Sequence, residues 1–141
     1  MAYNKGREVV RIMNGQEKVQ YWLDLADYDF ETARAMLQTK RYLYVGFMCH
    51  QTVEKALKSI IANGDALPPK IHGLMKLAQL GDVYDAMSEA QKDLLDTLDP
   101  LNIAARYPEQ KAKLAAMLTH EMCTAILAET EALLCWIKQQ L

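Results

Sequence analysis

The chain has 141 residues, 51% of them hydrophobic, and its 16 basic against 18 acidic residues leave a formal net charge of −2. That length and apolar content suit one domain with a core of its own, while the near-neutral balance excludes the global basicity behind non-specific binding to a phosphate backbone; a local basic patch stays compatible with it. Charges interrupt every apolar run well short of a membrane span, and residues 1–15 hold no apolar stretch behind a positive flank, so the sequence reads as cytoplasmic with no membrane partner.

After a polar opening over about residues 1–16, helical periodicity predicts a helix from about Glu17 to Thr39. Its apolar stripe holds Trp22, Leu25, Ala26, Phe30, Ala33, Met36 and Leu37. The Lys40-Arg41 junction is short, which makes the next helix, Tyr42 to Asn63, an antiparallel neighbour. Its apolar face passes through Leu43, Phe47, Val53, Leu57 and Ile61. Gly64, as a left-handed cap, and then Pro68-Pro69 end it.

A shorter helix follows from Ile71 to Leu80 and stops near Gly81. Ser88-Glu89-Ala90-Gln91 has the form of a capping box and opens a helix through Leu94, Leu95 and Leu98, with Pro100 as its limit. The stretch Asn102 to Lys113 is expected to be irregular, because Tyr107 precedes a proline and is pushed out of the α region. The last helix covers about Leu118 to Gln140 and turns Met122, Ile126, Leu133, Trp136 and Ile137 inward. No segment combines clean alternation with β-branched residues. The expected fold is therefore all-α: an up-and-down antiparallel four-helix bundle with one additional short helix, forming a single domain over 1–141.

Cys49, Cys123 and Cys135 are odd in number, widely spaced and helical in context. They read as small apolar residues in or near the core, not as a disulfide framework or a Cys-x-x-Cys metal site.

The informative residues are polar ones on inward faces. At 100° per residue, His50 and Glu54 fall inside the apolar arc of the second helix, one turn apart, with Gln51 and Lys58 along the same edge. Asp29 lies between Trp22 and Met36 on the first helix, and Glu129 between Ala125 and Trp136 on the last. A carboxylate buried alone is expensive, so Asp29, His50, Glu54 and Glu129 are expected to form a buried polar network. Partners are available in His50, Lys55, Lys58, His72 and Arg106. Such a network fixes helix register, meets its copy across a dimer seam, or forms a ligand or nucleotide site.

His72 starts the third helix, where it caps, packs, or points into the groove beside the second. Arg106 and Tyr107 sit on the irregular connection, where a guanidinium holds a phosphate or an inward carboxylate, or serves as a structural anchor. His50 and Glu54 have i, i+4 spacing, but no His-Glu-x-x-His pattern accompanies them, so no metal site and no cofactor is expected. His120 reads as a solvated end residue.

Taken in order, Trp22, Asp29, Ala33, the run His50-Gln51-Thr52-Val53-Glu54-Lys55-Ala56-Leu57-Lys58, then His72-Gly73-Leu74 and Arg106-Tyr107-Pro108, resemble the HEPN domain family from about Glu17 onward. The resemblance implies an up-and-down helical bundle, commonly homodimeric, associated in prokaryotes with a minimal nucleotidyltransferase and with toxin–antitoxin or defence systems. It also implies a nucleotide or partner site near His50, Gln51, Glu54, Lys55, Lys58, His72, Arg106 and Tyr107. Many relatives are metal-independent ribonucleases with an Arg followed four to six residues later by His. Here no His follows Arg106 in that window, and Arg41 lies nine residues before His50.

Three functions follow in order of expectation. The first is a non-catalytic subunit that dimerises and binds ATP, GTP or a nucleotidyltransferase-domain protein. The second is a divergent ribonuclease acting on RNA, with His50 or His72 as base and Arg106 steadying the phosphate. The third is a purely structural dimer module.

Overall fold

In a computed structural model describing residues 13–141, the chain folds as six α-helices and no strand among the described residues. They are α1 (Gly15–Gln38), α2 (Tyr42–Asn63), α3 (Leu74–Leu80), α4 (Glu89–Ala104), α5 (Pro108–Met117) and α6 (His120–Gln139), with a single turn of 3-10 helix at Tyr84–Ala86. The four longer helices make the expected up-and-down bundle. Of the polar opening, residues 1–12 lie outside the described residues. Gly15 and Gln16 are already helical, because the Asn14 side chain accepts the Glu17 N–H at 2.8 Å and nucleates the first turn.

Three helices end in the same backbone turn. After α1 the Arg41 N–H reaches the Met36 carbonyl and the Lys40 N–H that of Leu37; Asp65 and Ala66 repeat the pattern after α2, as do Asp82 and Val83 after α3. Each turn puts one residue in the left-handed region: Lys40, Asp65 and Asp82, at φ 61, 63 and 58°. The left-handed cap expected at Gly64 is thus displaced by one residue, since Gly64 itself keeps φ −80°. α3 also starts later than expected. His72 precedes it and Gly73, in extended conformation, is its N-cap, because the chain leaving Pro68-Pro69 remains non-helical to that point.

The region around Pro100 departs most from expectation. The capping box at Ser88 and Gln91 forms, yet α4 runs straight through Pro100 to Ala104. Pro100 stands on the exposed side, where water can bond the carbonyl that the missing N–H leaves open. Beyond it, Leu101 and Asn102 are buried, continuing the face of Leu94, Leu95 and Leu98. Packing explains the continuation: Gly46 of α2 has no side chain, and a Cβ there would stand 2.7 Å from Leu101 Cδ1. Tyr107 is extended, as a residue before proline should be, but Pro108 then opens α5 as its first helical residue. The irregular stretch expected from Asn102 to Lys113 therefore shrinks to the few residues between α4 and α5.

α2 is the central helix. Fifteen of its 22 residues are buried, and α1, α3, α4 and α6 all pack on it. Its buried Thr52 and Ser59 hydroxyls return to the backbone carbonyls of Met48 and Ala56. α6 turns Cys123, Ile126, Thr130, Leu133, Leu134 and Ile137 inward, while Met122 and Glu129 are exposed. Trp136 is half-buried and packs against the core as expected, but counting Met122 as inward rotated the expected arc, and the polar residue that does face the core is Thr130, one position after Glu129. Cys49 and Cys123 are buried and Cys135 is exposed, so only two of the three cysteines belong to the core. Burial raises the Cys49 thiol to about 12 and that of Cys123 to about 11, leaving both as inert packing groups. No helix among the described residues is long and apolar enough to cross a membrane.

Candidate functional site

Glu54 sits near the middle of α2 with its side chain 3% exposed. Two partners satisfy it. Lys58, one turn on, donates to Oε2 at 3.2 Å, and His72 Nδ1 lies 2.9 Å from Oε1. Since a carboxylate only accepts, His72 donates through Nδ1 and its Nε2 is left directed elsewhere. Lys58 is also buried, and its ammonium stands 5.5 Å from the Trp22 ring of α1. The carboxylate thus ties α2 to the segment before α3, and the lysine ties it to α1.

His50, one turn before Glu54, is 1% exposed and bonds in the opposite direction: Nε2 lies 3.1 Å from Asp99 Oδ1. The same oxygen accepts the backbone N–H of Leu74 at 3.2 Å. Gly73 offers α3 no side-chain cap, so Asp99 of α4 caps that helix from outside. His50 Nδ1 stands 3.9 Å from Glu54 Oε1 and has no hydrogen-bond partner. Burial lowers the His50 pKa from its usual value, against the opposing pull of Glu54 and Asp99. A neutral ring that donates through Nε2 to Asp99 accounts for both observations.

Above this network lies an open groove of about 670 Å3, walled by His72, Gly73, Asp96, Asp99, Asn102, Ile103, Arg106 and Tyr107. His72 is half exposed and Tyr107 is 57% exposed. The Arg106 guanidinium lies 6.0 Å from the Phe47 ring of α2. Asn102 is buried with its Oδ1 unpaired, an acceptor set into the groove wall. The groove combines a guanidinium, an exposed phenol ring, an imidazole and two carboxylates.

The residues singled out from sequence therefore separate into three places. His50, Glu54 and Lys58 form the buried cluster. His72 joins that cluster to the groove, where Arg106 and Tyr107 also lie. Lys55 faces away and pairs with Asp29 of α1 at 3.4 Å, and Gln51 has its Oε1 buried without a partner. Of the four residues expected in a buried polar network, His50 and Glu54 share one, Asp29 is part-buried in its own pair, and Glu129 is out in solvent. His120 begins α6 and is exposed, with the Tyr42 hydroxyl 3.2 Å from its Nδ1. Asp99 was missed. It lies one turn after Leu95, within the helix expected up to Pro100, but its partners, His50 and the Leu74 N–H, come from distant parts of the chain.

Among the described residues, no group of three or more His, Cys, Asp or Glu side chains is arranged to hold a metal ion. The HEPN domain model matches residues 19–140 of this chain. The fold is similar to the crystal structure of TT1696 from Thermus thermophilus, with a TM-score of 0.73 and 21% identity over 88% of this chain and 98% of that one. No curated protein matches the chain.

Proposed function

The chain belongs to the HEPN domain family, and from that membership we propose that it is a non-catalytic cytoplasmic subunit, one HEPN domain that dimerises and binds a nucleotide or a nucleotidyltransferase partner. A toxin–antitoxin or defence setting is part of the same proposal. The carrying observation is that Arg106, Tyr107, His72, Asp99 and Asn102 wall one groove whose volume suits a small ligand. Arg106 would hold a phosphate, the Tyr107 ring would stack on a base, and the Asp96 and Asp99 carboxylates would accept from ribose hydroxyls. Glu54 and Lys58 neutralise each other beneath the groove and act as scaffold.

Titration calorimetry with ATP and GTP tests this reading. Saturable heat should appear in the parent chain and vanish in Arg106→Glu and in Tyr107→Ala. If neither nucleotide binds and no nucleotidyltransferase-domain protein forms a complex, the proposal fails.

One observation favours a second reading, a divergent ribonuclease. Glu54 holds the Nδ1 side of His72, the arrangement that orients a general base, and His72 lines the groove that also carries Arg106. His72 would take the proton of a ribose 2′-hydroxyl as its oxygen attacks the phosphorus, and the P–O5′ bond would break with the 5′-oxygen taking a proton from water. His50, named beside it from the sequence, is buried and occupied by Asp99. Cleavage of RNA that persists in His72→Gln would reject this second reading.

A further inference from the structure

Away from the His72 groove, the α1–α2 junction and α5 enclose a second concave surface of about 470 Å3 that shares no lining residue with the first. Its walls include Lys40, Arg41, Tyr42, Tyr44 and Lys111, and none of its lining residues is acidic. Among the described residues, Lys40, Arg41 and Lys111 form no ion pair with a carboxylate. In a chain of net charge −2, three uncompensated cations in one hollow concentrate positive potential where the rest of the surface is mixed.

The backbone and the phenols set these cations in place. Lys40 occupies the left-handed position of the turn closing α1, and the Arg41 N–H is bonded to the Met36 carbonyl at 2.8 Å. Lys111 donates to the Tyr44 hydroxyl at 3.3 Å and lies 5.4 Å from the same ring. Two residues before Tyr44, the Tyr42 hydroxyl meets His120 Nδ1. Arg41 is the N-cap of α2, yet its side chain makes no capping bond and no acid occupies the first turn, so the helix end adds to the same sign of potential.

We infer that this groove is an oxyanion site that binds the phosphate group of a ligand, with Arg41 as the fork and Lys40 and Lys111 as flanking charges. A phosphate suits three cations better than a single carboxylate does, since it carries up to two negative charges and presents several oxygens to a guanidinium. The Tyr44 ring already lies against Lys111, which leaves charge as the main attraction here and base stacking a minor one.

The test is a calorimetric titration of the full chain with inorganic pyrophosphate at constant ionic strength, repeated with a single-stranded RNA about 10 nucleotides long, within the span such strands occupy on a binding domain. The expected result is saturable pyrophosphate binding, weakened about tenfold by Arg41→Gln and about tenfold by Lys111→Gln, as loss of one charge-assisted hydrogen bond would do. The same losses from Arg41→Gln and Lys111→Gln should appear in an Arg106→Gln background, where no phosphate is held in the groove of the proposed function, which separates the two sites. RNA binding tighter than pyrophosphate with the same residue dependence identifies the phosphate as part of a nucleic-acid backbone. Weaker RNA binding identifies a small phosphorylated ligand. Absence of saturation, or undiminished pyrophosphate binding in the Arg41→Gln/Lys111→Gln double variant with its helical circular dichroism intact, overturns the inference.

Discussion

The middle of α2 and the middle of α6 look alike on a helical wheel, each with a carboxylate inside an apolar arc, and the fold treats them in opposite ways. Glu54 is enclosed and held by Lys58 and His72, whereas Glu129 stands in solvent. The difference lies in the neighbours. α2 is covered by the other five helices over most of its surface, with fifteen of its 22 residues buried, while α6 packs mainly along α2 and keeps a wet side. A wheel reports which residues share a face but not how many faces are covered. A polar residue at the rim of an arc therefore goes inside or outside according to packing elsewhere in the chain.

The contrast is tested most severely by removing each carboxylate. Glu54→Ala leaves Lys58 buried without its counter-charge and should lower unfolding free energy by about 3–5 kcal/mol in urea titrations. Glu129→Ala should leave the midpoint where it is, and a comparable loss in both variants would break the comparison. Next in size is the contact that crowds α2 from the α4 side. Gly46→Ala forces a Cβ against Leu101 and should cost about 1–3 kcal/mol by overpacking, read in the same titration.

Protons supply a third test. The unfolded chain binds a proton on His50 near pH 6.5, whereas the folded state, with its lowered pKa, resists it. Stability from this residue is therefore complete above about pH 6.5 and declines as pH falls toward the lowered folded value. The thermal midpoint of the parent chain should drop more steeply than that of His50→Gln between about pH 7 and 5, and parallel curves would refute the assignment. The smallest effect belongs to α6. Thr130 faces the core beside the buried Cys49 thiol and its hydroxyl makes no strong hydrogen bond there, so Thr130→Val should change stability by less than about 1 kcal/mol.

The all-helical bundle, the boundaries of α2 and the Ser88 capping box were readable from periodicity and cap chemistry, because these signals are local. The burial of His50 and Glu54 was readable too, since both fall well inside the α2 arc. Asp99 was not, although it lies within the helix expected up to Pro100, because its role rests on partners 49 and 25 residues away, His50 and the Leu74 N–H. The helix running on past Pro100 was also unreadable, since it depends on the long-range fit of Leu101 against Gly46. The second groove also escaped notice. Its cations come from two distant stretches, Lys40-Arg41 and Lys111, which meet only in the folded bundle.

The partners of the α2 cluster come late in the chain. The α1–α2 hairpin is made of short-range contacts, but Glu54 gains His72 from 18 residues further along and His50 gains Asp99 from 49 residues further. A ribosome-bound chain that has released only α1 and α2 therefore carries a seam it cannot dry until His72 and Asp99 arrive.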